Sequence, residues 1–495
     1  MQHLLNPAPS GSTQSSTRGS LTPVPSTPAP TGGVGKIDLG LDRMERLMAT
    51  LEPLRTPAIH IAGTNGKGSV SAMLESCLIT AGFRTARYNS PHLIEPRDAL
   101  RLNGRPVSRE AYQRALARAE ANSNRVDIQA TSFEIATAAA YCLITEAKPD
   151  IMIIECGMGG ARDATNVIPP ELVLATALTV VGLDHTAFLG DTIEAITTEK
   201  SSIAVRDAVF AIGRQPIIAA GATAVAISRM RGAKAVDAFD VAVVTGSAGE
   251  CTSYGTFIKP VPMLIRYTTP GFGGSPFTSL EARLPLPGAH QVPNASLAIS
   301  ILHHLRVDPR ARNILPPLGM VSNDHIRAGL EKTQWAGRCS WLDYVGPESR
   351  KRTPILVDGA HNADSATVLR QYIDSCVGGR GHPGPGVTFI ISLSDSKGKT
   401  PESVLRPLLR PGDCVAAVEF EGPVEGMPWI KPVPKATVAA ISAGVVGEDR
   451  VWGGAGLGLG EALEWARGTG GLTVVCGSLY LVADTYRLLG LEEEI

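Results

Sequence analysis

Gly63-Thr64-Asn65-Gly66-Lys67-Gly68-Ser69 carries the most explicit chemistry in this 495-residue chain. The segment follows a short apolar run, residues 58–62. It precedes a helical pattern with Val70, Met73, Leu74, Cys77 and Leu78 on one face. Strand, glycine-rich turn and helix together form the context in which such a loop cradles phosphate. Glycines let backbone N–H groups converge on phosphate oxygens, and the helix N-terminus adds partial positive charge. Lys67 is placed for the outer phosphates and Ser69 for a Mg²⁺ that accompanies them. A glycine-rich turn with a solvated lysine would explain the glycines but not the whole context, so ATP binding is the expectation. The spacing is compact: two residues separate Gly63 from Gly66, and Gly68 stands between Lys67 and Ser69.

Other residue types could work beside that loop. Glu155 closes a near-continuous apolar run, residues 151–155, as buried parallel strands tend to. A carboxylate at the carboxyl end of such a strand opens onto the crevice where α/β proteins bind ligands, and its oxygens suit Mg²⁺. A helix cap or an ion-pair partner is the ordinary alternative. His185 follows another apolar run, residues 173–181, and is expected to face the same crevice. Gln291 and Asn294 carry amides able to read an adenine edge, or to cap a helix beginning near Asn294. Phe133 starts a helical pattern over residues 131–144, where an aromatic is more often a hydrophobic staple.

Taken in order, these segments resemble the Mur ligase superfamily and, within it, the dihydrofolate synthase and folylpolyglutamate synthase family. The resemblance is carried by the compact glycine loop, by Ser90-Pro91-His92-Leu93, and by Leu102-Asn103-Gly104-Arg105-Pro106-Val107. It continues through Glu155 to Asn166, Glu199-Lys200-Ser201, Gly288-Ala289-His290-Gln291, Trp335-Ala336-Gly337-Arg338 and Asp358-Gly359-Ala360-His361-Asn362. The chain departs from the pattern at Ala161, where the family has arginine, and Arg162 comes one place later. Ser394-Asp395-Ser396-Lys397 is one residue longer than the family's S-D-K. Glu425-Gly426-Met427-Pro428-Trp429 and Val475-Cys476-Gly477-Ser478-Leu479-Tyr480 resemble segments of the fungal dihydrofolate synthases.

That resemblance implies ATP-dependent ligation of L-glutamate to 7,8-dihydropteroate through an acyl phosphate. It makes Ser69, Ser90, Glu155 and His185 ligands for two Mg²⁺ ions. It makes Lys200 a lysine carbamylated by CO₂, which turns an ammonium into an oxygen ligand. ATP would be held by Gly63 to Ser69 (Gly63, Thr64, Asn65, Gly66, Lys67, Gly68, Ser69) with Gln291, Asn294, Arg338 and Asp358. Phe133 and Asp163 would contact the pterin, and Lys67, Lys200 and His361 would carry catalytic roles.

Such groups need rigid elements to hold them. Apolar strand runs alternating with helical patterns indicate an α/β chain with a wound parallel sheet. Residues 36–333 are expected to form a P-loop, Mur-ligase-type ATP-binding domain, with a small antiparallel β section over 236–283. Residues 334–495 are expected to form a Rossmann-like domain with strands near 355–357, 387–392, 414–419 and 473–475. Residues 1–35, rich in Ser, Thr and Pro, read as a disordered tail. The glycine run 453–460 reads as a loop before a helix from Glu461, not as a dinucleotide fingerprint.

Composition removes several classes. A formal net charge of −1 argues against nucleic acid, and no apolar stretch reaches the length of a membrane span. Eight scattered cysteines without a C-x-x-C pair read as reduced residues of an intracellular protein. A cytoplasmic monomer is expected, with a mitochondrial pool as the second location. The nearest rival activity is polyglutamylation of tetrahydrofolate, which uses the same phosphate and metal apparatus. From another class, a P-loop kinase could phosphorylate a small metabolite and stop. An inactive binding protein has only Ala161 in its favour.

Overall fold

Residues 58–62 and 151–155 form the centre of the first sheet because every side chain along them is buried, whichever face it points to. Ile59, Ile61, Ile151 and Ile153 pack against the helices Lys67–Thr80 and Gln291–Val307. Ala58, Met152 and Ile154 pack on the opposite face against the helices Arg109–Arg125 and Ser132–Ala147. A strand covered on both faces cannot alternate with polar residues, which explains the unbroken apolar runs. The computed structural model describes residues 39–244, 251–270, 277–347, 352–377, 386–395, 400–454 and 458–494. The tail 1–35, Ser396, Lys397 and the middle of the glycine run lie outside the described residues.

The first sheet comprises β1 (Ala58–Ala62), β2 (Thr85–Tyr88), β3 (Leu100–Leu102), β4 (Arg105–Pro106), β5 (Ile151–Glu155), β6 (Val173–Leu178), β7 (Val209–Ile212) and β8 (Lys234–Asp237). Their order is β4-β3-β2-β5-β1-β6-β7-β8. The strands from β2 to β8 across this order pair in parallel, while β3 and β4 add an antiparallel edge. Ile61 lies opposite both Glu155 and Ala177, so the loops after β1, β5 and β6 leave the sheet side by side. The expected strand 173–181 stops at Leu178. Beyond it, Val180 turns its carbonyl to the N–H of Thr64, so this stretch clamps the glycine loop instead of extending the sheet.

The β section is more divided than its sequence implied. β9 (Val241–Val243), β12 (Met263–Pro270) and β13 (Phe277–Leu284) form one antiparallel sheet, whose Ile265, Tyr267, Ala282 and Leu284 join the first core. β10 (Thr252–Ser253) and β11 (Ile258–Lys259) form a separate two-stranded ribbon, and its Phe257 enters the core of the second sheet.

That second sheet comprises β14 (Ser340–Val345), β15 (Arg352–Asp358), β16 (Thr388–Ile391), β17 (Cys414–Ala417) and β18 (Thr473–Cys476), in the order β14-β15-β18-β16-β17. Only β14 is antiparallel to its neighbour. The two halves nevertheless cluster with each other as one compact unit from Leu39 onward. All eight cysteines are unpaired thiols. Among the described residues, no helix is long and apolar enough to cross a membrane.

Candidate active site

Gly66 ends the loop after β1 in a left-handed conformation (φ 92°) and is the N-cap of the helix Lys67–Thr80. No side chain caps that helix, so the N–H groups of its first turn keep their capacity for an anion. A side chain at Gly66 would be strained, and its Cβ would also strike Asn294 Oδ1. The loop is narrower than its seven residues implied. Thr64 and Asn65 both direct their N–H to Val180 O, and the Thr64 hydroxyl engages Gly182, so these backbone donors are committed to the β6 loop. A phosphate cradle would therefore fall on Gly66 to Ser69. Lys67 is folded over its own loop, with Nζ donating to Gly63 O (3.1 Å) and Thr64 O (3.2 Å) and lying 3.6 Å from Glu155 Oε1.

Glu155 ends β5 with its carboxylate buried. Its second oxygen, Oε2, accepts from Asn89 Nδ2 at 2.6 Å. Ser90 comes next in the chain, and its Oγ is buried without a hydrogen-bond partner. A buried hydroxyl oxygen left in that state has free capacity for a donor or a cation. Among the described residues, no three His, Cys, Asp or Glu side chains gather into a metal cluster. One carboxylate with serine oxygens is a sparse donor set of the kind Mg²⁺ uses when waters and substrate phosphates complete its shell. The residues present thus fit Mg²⁺ better than a transition metal.

Lys200 approaches the loop from the opposite side. It lies near the end of the helix Ile193–Ser201, is buried, and donates from Nζ to Gly63 O at 2.9 Å. Burial, aided by the neighbouring charge of Lys67, pushes its amine down to about 8. Gly160 permits this approach. A Cβ there would stand 2.7 Å from Glu199 O and 2.8 Å from Lys200 O, so only glycine lets the β5 loop lie on this helix. Arg162 pairs with Glu199 (3.1 Å), which gives the displaced arginine a place beside Lys200.

His185 is exposed, with φ 53°, at the start of the short helix Thr186–Leu189. Its neighbour Asp184 is buried and accepts from Asn362 Nδ2 at 3.2 Å. The loop bearing His185 therefore meets the Asp358–Asn362 segment of the second half. His361 is exposed there, with Nδ1 2.9 Å from Gly359 O. Asp358 is differently used: its two oxygens accept from Ala360 N (2.8 Å) and Cys339 N (2.7 Å), tying the linker to β15. Arg338 lies on that linker, its Nη1 donating to Gly337 O at 3.1 Å.

Gln291 and Asn294 lie inside the first turn of their helix, which begins at Gln291 with His290 as N-cap. They do not cap it. Asn294 Nδ2 donates to Gln291 Oε1 (3.0 Å), and Asn294 also packs on Gly66, placing both amides beside the glycine loop. Phe133 occupies the second helical position after its N-cap Thr131, not a staple position, and its ring covers Gly157. Asp163 lies near the same loop but is buried. Its carboxylate accepts from Met158 N (2.7 Å) and Thr165 N (3.0 Å), and burial raises its pKa. In this conformation Asp163 organises the loop under Phe133.

Arg87 and Glu75 belong to no motif, yet both border the candidate site. Arg87 is buried against Glu75 (2.6 Å), donates to Asn89 Oδ1 (2.9 Å) and lies over the Trp335 ring at 4.6 Å. Trp335 in turn covers Gly68. Only the proximity of Asn89 to Ser90 could have signalled this network, because charged residues on β2 read as surface. A cavity of about 780 Å³ adjoins it, with Asn89, Arg101, Lys259, Trp335 and Arg338 in its lining.

Comparison with known proteins gives consistent likenesses. Residues 340–488 match the family model described as dihydrofolate synthetase, C-terminal domain. The chain is 32% identical over 463 residues to a probable dihydrofolate synthetase of Schizosaccharomyces pombe, covering 92% of this chain and 99% of that one. It is 31% identical over 401 residues to the dihydrofolate synthetase of Saccharomyces cerevisiae, covering 80% and 84%. Among solved structures, the Mycobacterium tuberculosis folylpolyglutamate synthase complexed with ADP and AMPPCP superposes with a TM-score of 0.71 at 26% identity, covering 91% and 95%.

Proposed function

The chain belongs to the dihydrofolate synthase and folylpolyglutamate synthase family, and from that premise we propose that it ligates L-glutamate to 7,8-dihydropteroate with ATP, giving dihydrofolate, ADP and phosphate. The observation that carries this reading is the meeting of an uncapped helix N-terminus, Lys67 and Glu155 in one crevice, with 3.6 Å between the last two. Dihydropteroate is favoured over a folate as acceptor by the fungal relatives and by the family model matched in the second half.

A carboxylate is a poor electrophile. Transfer of the γ-phosphoryl group breaks its bond to the ADP leaving oxygen and forms a bond to the carboxylate oxygen. The amine nitrogen of glutamate then attacks the acyl carbon, the C–O bond to phosphate breaks, and the nitrogen loses its extra proton. Charge that develops on the phosphoryl oxygens is met by the first-turn N–H groups and by Lys67, once its amine leaves Gly63 O and Thr64 O. Ser69, Ser90 and Glu155 would hold Mg²⁺, which supplies charge neutralisation at the phosphates. His185 and a carbamylated Lys200 are the proposed ligands of a second ion; the burial of Lys200 beside Gly63 supports this. Gln291 and Asn294 serve the nucleotide, with Arg338. His361 acts from the facing loop, and Asp358 fixes the linker that carries Arg338. Phe133 and Asp163 form the pterin wall. The acyl phosphate needs shelter from water, for which a crevice between two α/β halves is suited.

Purified protein with MgATP, L-glutamate and dihydropteroate should give a glutamyl adduct by mass and release ADP in step with it. An adduct on tetrahydrofolate instead would assign polyglutamylation. ADP release without any need for glutamate would assign a kinase. The working species is taken to be a cytoplasmic monomer, to be checked by sedimentation and by fractionation against mitochondria.

A further inference from the structure

Asn89 makes three side-chain hydrogen bonds, and each has only one sense. Ser71 Oγ donates its hydrogen to Gly68 O at 2.8 Å, so toward Asn89 Nδ2, also 2.8 Å away, it must accept. Arg87 has only donors, so Asn89 Oδ1 accepts from its Nη1 at 2.9 Å. The amide orientation is thereby forced, and the remaining Nδ2 hydrogen points to Glu155 Oε2 at 2.6 Å. Arg87 is itself held by Glu75 at 2.6 Å, with both side chains buried.

We propose that Asn89 is a positioning residue: it fixes one oxygen of Glu155 so that the other, Oε1, stays turned toward Lys67 and the metal position. Arg87 and Ser71 keep Asn89 in that role, and Ser71 ties it to the glycine loop through Gly68. The proposal rests on Glu155 being a metal ligand. A terminal carboxylate rotates readily about its last torsion, and a buried one without a fixed donor would turn to Lys67 with either oxygen. Partners behind a metal ligand commonly change metal affinity 10–100-fold when removed.

The test is Mn²⁺ binding to the full chain with AMPPNP present, read as free Mn²⁺ by electron paramagnetic resonance. Wild type, Glu155→Gln, Asn89→Ala and Asn89→Ser are compared. The serine keeps a hydroxyl near Arg87 but falls short of Glu155, and it stands in if the alanine variant does not fold. ADP binding in EDTA is measured in parallel by calorimetry. The expected result is that Glu155→Gln and both Asn89 variants weaken Mn²⁺ binding about tenfold or more, with metal-free ADP affinity changed less than about twofold. Loss in Glu155→Gln but not in the Asn89 variants would overturn the positioning role. Unchanged Mn²⁺ binding in Glu155→Gln would instead overturn the metal assignment, and this proposal with it. An equal loss of metal-free ADP binding in the Asn89 variants would show a collapsed loop and also overturn it.

Discussion

Lys67 and Glu155 lie 3.6 Å apart across the crevice, yet the proposed reaction gives each a separate task. On that reading Lys67→Ala would remove a cation from the phosphates, and Glu155→Gln would remove a metal-binding charge. Each should lower turnover by about 10²-fold or more while leaving the far-UV dichroism unchanged. Retained activity in either variant would count against the assignment. Lys200 makes a different prediction. If its amine takes up CO₂, protein equilibrated with ¹³C-bicarbonate should show a carbamate carbon by NMR that is absent from Lys200→Arg. Absence of the signal in the wild type would leave Lys200 as a buried hydrogen-bond donor to Gly63. The meeting of Lys67, Glu155 and Lys200 around one loop could be read from the sequence because each falls within a motif of fixed spacing. The contacts of Asn89 and Arg87 could not, because they join side chains from separate elements, and neither spacing nor type reveals that. Asp358 and Asp163 were legible as positions, but their carboxylates are engaged by backbone N–H groups, a geometry that sequence does not carry.

At the scale of elements, the site is a set of loops leaving β1, β5 and β6 together, and they are pinned from below. His60 on β1 is fully buried, with Nε2 2.8 Å from Thr165 Oγ1 and 3.1 Å from Cys156 Sγ, so β1 holds the loop that follows β5. Burial depresses the His60 imidazole to about 3. The sign follows directly. Between that value and the ordinary one near 6.5, the unfolded chain binds a proton that the folded chain refuses. Stability therefore falls as pH drops below about 6.5 and reaches its full deficit near 3, at about 1.4 kcal/mol per unit. Between pH 6.5 and 4.5 the wild type should lose about 2 kcal/mol more unfolding free energy than His60→Gln, whose amide can donate but not titrate. Parallel denaturation curves for the two proteins over that range would refute the pin. The central parallel strands could be read from their unbroken apolar runs. The strands β3, β4 and β14 could not, because β3 and β4 are short and β14 is only partly covered.

The whole molecule must hold two α/β halves at a distance that lets one crevice use residues from both. The linker with Trp335 and Arg338 makes one connection, and the contact of Asp184 with Asn362 makes another. The third is the β10–β11 ribbon, which belongs by sequence to the first half. Phe257 is buried between Tyr254 (5.2 Å between ring centres) and Trp341 of β14 (6.0 Å), and Thr256 Oγ1 donates to Gly470 O at 3.0 Å. In the sequence this stretch groups with the first sheet, because β-branched and glycine-rich runs mark a β section without naming its partner. Lys259 of the same ribbon, over the Trp341 ring at 6.0 Å, also lines the cavity between the halves, so the ribbon forms part of its wall. Phe257→Ala should cost about 3 kcal/mol if the halves unfold as one cooperative unit. If they unfold separately, the loss should appear only in the transition of the second half, as a split thermogram. In either case hydrogen exchange should accelerate together at residues 252–259 and 340–345, since each covers the other. Faster exchange in the ribbon alone would mean that it rests on the second half without supporting it, and the linker would then bear the alignment of the crevice.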